Sequence, residues 1–91
     1  MKFWLSFCDG KKEKGKQFIG VILIEAEDFI SAIKKTHKLK INPGGEVQGF
    51  ELEKIPHFEE LKNRLVDKKE LEIYFDDLIT TEELENETLP N

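Results

Sequence analysis

A single cysteine, Cys8, rules out an intramolecular disulfide, and with it the cross-linked scaffolds that hold many small secreted domains together. Long apolar runs are also missing. The longest, residues 18–24, has seven positions, whereas a bilayer-spanning helix needs about 20. The start alternates in polarity and reaches Asp9-Gly10 before it builds the roughly 7–15-residue apolar core of a signal peptide. A cytoplasmic protein with no membrane partner is therefore expected. Arginine occurs once, at Arg64, and the net charge is -5, so the strong positive footprint of a specific nucleic-acid binder is absent. The two histidines, His37 and His57, lie twenty residues apart, and neither CxxC nor HExxH occurs. No metal site and no cofactor are expected.

What is present suits one small domain. The 91 residues leave little room for a second. Seven Phe and one Trp within an apolar fraction of 38% point to an aromatic-rich core. Charge is unevenly spread. Residues 1–54 carry ten Lys and eight acids, and residues 55–91 carry four basic groups and eleven acids. Such asymmetry can mark a surface that faces a partner.

Residues 2–8 place Phe3, Leu5 and Phe7 on one side and Trp4, Ser6 and Cys8 on the other, the period of a strand. Residues 9–16 form a polar hairpin loop in which Lys11, Lys12, Lys14 and Lys16 make the densest basic patch. Residues 17–25 predict a central strand, because an almost continuous apolar run has both faces covered. Gly20 within it marks a bulge or a close backbone approach. Asp28 is an N-cap for a helix whose inner face is Phe29, Ala32, Ile33 and Thr36 and whose outer face carries Lys34, Lys35 and Lys38. Asn42-Pro43 stops that helix. A third strand follows at 47–53. Pro56 opens a second helix with a Phe58, Leu61, Leu65 stripe, and Leu71, Ile73 and Phe75 alternate as a fourth strand. Thr80 and Glu83 make a capping box for a short terminal helix.

The expected architecture is α+β: a single two-layer domain over residues 1–79 in the order β-β-α-β-α-β, then a C-terminal helix and frayed tail at 80–91. A two-layer arrangement covers one sheet face only. Trp4, Cys8, Tyr74 and one register of the second strand then need a cover, either the C-terminal helix folding back or a second copy of the chain.

Candidate chemistry is sparse. Cys8 with His37 or His57 is the sole nucleophile–base pairing available, and nothing in the spacing brings them together. The pairs Glu59-Glu60, Asp76-Asp77 and Glu82-Glu83 are adjacent, so their side chains diverge on a helix. No catalytic residue is assigned, and an enzyme is not expected. The turn Asn42-Pro43-Gly44-Gly45, beside Lys38 and Lys40, exposes backbone N–H groups that could cradle an anion. It follows a helix, however, and matches no phosphate-loop pattern.

Phe3-Trp4-Leu5-Ser6-Phe7, Gly20-Val21, Glu25-Ala26-Glu27-Asp28-Phe29 and Ile41-Asn42-Pro43-Gly44-Gly45-Glu46-Val47 together resemble a family of small uncharacterised proteins from bacteria and their phages. The resemblance covers residues 2–53. It implies a small accessory protein encoded on a phage or mobile element and carries no activity or site residue with it.

The function expected from the sequence is a non-enzymatic interaction or regulatory module. It would meet a protein partner, or a second copy as a homodimer, through Trp4, Tyr74, Asp76 and Asp77. The alternative is a binder of a small phosphorylated or nucleotide ligand at Lys38, Lys40, Asn42, Gly44 and Gly45.

Overall fold

The structure, a computed structural model, describes residues 1–75. It is an α+β domain built on an antiparallel four-stranded sheet of order β3-β1-β2-β4. The elements are β1 (Lys2–Cys8), β2 (Phe18–Glu25), α1 (Phe29–Lys38), β3 (Glu46–Leu52), α2 (Phe58–Leu61), β4 (Leu65–Val66) and α3 (Lys68–Tyr74).

The two central strands behave as their patterns dictate. Phe3, Leu5 and Phe7 of β1 lie opposite Ile24, Ile22 and Gly20 of β2, so one apolar row meets another. With Ala32 they form the buried cluster beneath α1, and Ile19, Ile33, Ile41, Val47 and Leu65 pack around it. The register shifts between Phe7 and Cys8, where Gly20 and then Phe18 are the partners. Ile19 is the extra residue of this β-bulge, and the kink turns it to the α1 side instead of alternating it to the other. Gly20 has a second reason to lack a side chain, since the backbone oxygen of Val66 stands 2.7 Å from where a Cβ would be.

Helix α1 starts at Asp28, whose carboxylate accepts the Ser31 N–H at 2.7 Å. That charged hydrogen bond holds the Asp28 carboxyl below the usual Asp range. At the far end the buried Thr36 hydroxyl donates to the Ile33 carbonyl at 2.6 Å and accepts from Asn42 Nδ2 at 2.9 Å. Asn42 Oδ1 then accepts the Gly44 N–H at 2.8 Å. One side chain thus ends the helix and sets the turn. Gly45 follows at φ +78, and a Cβ there would run into the Cys8 carbonyl oxygen. Only glycine combines that backbone with that proximity.

Residues 55–75 cover much of the second sheet face; the tail expected as one possible cover lies outside the described residues. Val21, Leu23, Ile55, Phe58, Leu61, Val66, Leu71 and Phe75 form a continuous buried cluster there, with Trp4 and Tyr74 against it. Three elements depart from the sequence expectation. The second helix is one turn only, bracketed by His57 and Asn63 in the left-handed region. Leu65, assigned to its stripe, belongs to the two-residue β4 paired with Val21 and Ile22. The expected fourth strand is helix α3.

Its physical reason is a cap. Asp67 accepts the Glu70 N–H at 2.9 Å, and Leu71, Tyr74 and Phe75 at i, i+3 and i+4 make the inner stripe. Ile73, taken as part of the alternation, points outward with 75% of its surface exposed. The terminal helix expected at 80–91 lies outside the described residues.

Candidate functional site: the open edge of the sheet

The sheet has two edges, and β3 is the long one. Its seven residues pair on one side with β1, Lys2 opposite Leu52 through Cys8 opposite Glu46. Six of the seven are exposed, and Val47 is half-buried. Along such a strand alternate N–H and C=O groups project sideways, and no strand among the described residues receives them.

Register decides which side chains flank that edge. Val47, Gly49 and Glu51 align with Phe7, Leu5 and Phe3 and share the α1 face. Phe29 lies where a Gly49 Cβ would be, so an aromatic ring replaces the missing side chain and covers Leu5. Gln48, Phe50 and Leu52 align with Ser6, Trp4 and Lys2 on the opposite face. That face is only partly covered. Trp4 is half-buried against Phe75, ring centroids 5.2 Å apart and edge-on, while Phe50 and Leu52 remain 54% and 41% exposed. Trp4 therefore marks the boundary between the covered and the uncovered parts of this face.

The C-terminal end of β3 opens into a depression of about 380 Å³ lined by Met1, Lys2, Glu25, Glu51, Leu52 and Glu53. The Lys2 ammonium sits 5.1 Å from the Phe58 ring centroid, a cation–π distance. None of Glu25, Glu51 and Glu53 forms an ion pair among the described residues.

The residues singled out from the sequence fall in three places. Trp4 and Tyr74 are brought into one aromatic cluster. The His57 ring lies 5.2 Å from Tyr74 and 5.9 Å from Phe75, edge-on to each, and Phe75 meets Trp4. This cluster fastens the end of α3 to the sheet. Asp76 and Asp77 lie outside the described residues. At the 42–45 turn, Lys38 and Lys40 are exposed, Asn42 is engaged by Thr36, and the Gly44 N–H is engaged by Asn42. The lysine loop at 11–16 is exposed and held by local bonds, Lys11 N–H to Asp9 Oδ1 at 3.0 Å and Gln17 Nε2 to the Lys12 carbonyl at 3.1 Å.

Phe50, Leu52 and the three carboxylates went unrecognised as a site. Their signal was an aromatic and a leucine inside a strand with no basic residue from Glu46 to Glu53. A strand expected to be covered on one face gave no reason to weigh it.

Among the described residues no group of three or more His, Cys, Asp or Glu is placed to hold a metal ion, and no helix is long and apolar enough to cross a membrane. No protein-family model matches the chain, and no curated protein or solved structure matches it either.

Proposed function

We propose that this protein is a non-enzymatic interaction module that binds a protein partner by accepting an extended segment along β3. The observation that carries this reading is the seven-residue edge, unpaired on its outer side among the described residues, with Phe50 and Leu52 exposed beside it. Edge strands are templates for strand addition, in which main-chain hydrogen bonds give affinity and alternate side-chain contacts give specificity. Trp4, assigned to the interaction surface from the sequence, flanks this edge through its pairing with Phe50. The resemblance over residues 2–53 adds a context, a small accessory protein of a phage or mobile element.

Selection of random peptides displayed on a carrier tests the reading. The native protein should enrich a peptide class that a Phe50→Ser/Leu52→Ser variant of equal stability no longer enriches. Enrichment that survives in the variant would move the binding surface elsewhere.

A further inference from the structure

The chemistry around the β3 edge specifies its occupant, and this inference rests on reading β3 as a docking edge. We infer that the occupant is a basic, extended segment of another protein, alternating apolar and cationic residues. One of its Lys or Arg side chains seats in the depression lined by Met1, Lys2, Glu25, Glu51, Leu52 and Glu53, where three carboxylates outnumber the Lys2 ammonium.

Geometry sets the alternation. A strand laid against β3 turns every second side chain to the face of Phe50 and Leu52, and the others to the face of Glu51. The first set meets exposed apolar surface and gains by being apolar. The second set runs past Val47 and the Phe29 ring over Gly49 and meets a carboxylate at the Glu51 end. Beyond Leu52 the depression adds Glu25 and Glu53, neither ion-paired among the described residues. The ammonium of Lys2, on the same rim, is drawn over the Phe58 ring.

The same charges disfavour a parallel second copy on this edge. Residues 46–53 hold Glu46, Glu51 and Glu53 and no basic group, so in-register parallel pairing of β3 with another β3 sets acid against acid. Antiparallel pairing centred on Gly49 or Phe50 does not, and is decided by the oligomeric state. Like charges opposed across strands destabilise a pair. An acidic partner strand meets the same obstacle. The three carboxylates do not form a metal-binding group.

Fluorescence anisotropy on the full chain tests this with three labelled nine-residue peptides. Valine alternates with lysine and one central arginine in the first, with threonine in the second and with glutamate in the third. The basic peptide should bind roughly tenfold or more tighter than the threonine one, and the glutamate one should not bind. Its affinity should fall with added salt. A Glu51→Lys/Glu53→Lys variant should invert the order and prefer the glutamate peptide. These are exposed positions, so the fold should survive, with circular dichroism as the check.

Equal binding of the basic and threonine peptides would overturn the cationic assignment and leave strand addition standing. Binding of none would overturn both. Unchanged affinity for a basic peptide with alternate backbone nitrogens methylated, in both phases, would overturn strand addition. A wild-type dimer in light scattering that Phe50→Ser dissociates would assign the edge to a second copy instead.

Discussion

The two edges of this sheet are treated in opposite ways. At the β2 edge the chain spends residues 55–75 on closure. β4 pairs with Val21 and Ile22, the Asn63 N–H donates to the Leu23 carbonyl at 2.9 Å, and α2 and α3 bury Phe58, Leu61, Leu71 and Phe75 behind them. At the β3 edge nothing comparable is built among the described residues, and a phenylalanine and a leucine stand exposed next to it. Sheets usually blunt long free edges. The contrast between one edge closed by residues 55–75 and seven residues of the other left open among the described residues is what the proposed docking edge rests on.

The largest effects should come from the closed edge. Leu61→Ala removes a fully buried side chain from the cluster behind β2 and should cost about 2–5 kcal/mol in urea unfolding. Phe50→Ser, at the open edge, should change stability by less than about 0.5 kcal/mol. A large loss at Phe50 would mean that this residue is packed and that the contrast between the edges is false.

Next in size are the joints that carry β3. Gly49→Val forces Phe29 off the sheet and should cost roughly 1–3 kcal/mol, as overpacking does; Phe29→Ala in the same background should recover part of it. Thr36→Val leaves Asn42 Nδ2 without its acceptor and should cost about 1–3 kcal/mol. Retained stability in Thr36→Val would show that the helix end is held by backbone bonds alone.

The smallest expected effect is a pH dependence at Asp28. Its pKa is lower in the folded chain than in the unfolded one because the carboxylate accepts from Ser31. The stabilisation is therefore fully present above the ordinary carboxylate value and lost as pH falls through the folded one. The stability gap between wild type and Asp28→Ala should narrow on acidification through that window. A gap independent of pH would remove the charged hydrogen bond as its cause.

How much of this was legible depends on element length. β1, β2 and α1 announce themselves through periods that persist for seven to ten residues, and the Asp28 cap falls where the sequence puts it. Residues 55–75 resist because each element there has between two and seven residues. Over so short a span Leu71, Ile73 and Phe75 read as a strand, and Leu71, Tyr74 and Phe75 read as a helix. Asp67 and Glu70, spaced as a cap and its third residue, were the signal that could have decided it. Misreading α3 had a consequence for the site. With residues 71–75 taken as a strand, no part of this segment was left to cover the second face. On that reading Trp4 and Tyr74 are the uncovered residues, and Phe50 and Leu52 carry no distinguishing signal. Gly20 signals the bulge and the close approach, but which register of β2 faces α1 was not legible, since both alternations are equally apolar.

Amide hydrogen exchange of the full chain, followed residue by residue by NMR, tests the central contrast most directly. The expected result is protection near the global unfolding limit for Val21 through Ile24, and alternation along β3, with every second amide of 46–52 exchanging nearly freely. Uniform protection of all β3 amides at the level of β2 would contradict the account, because it would mean that this edge is already paired.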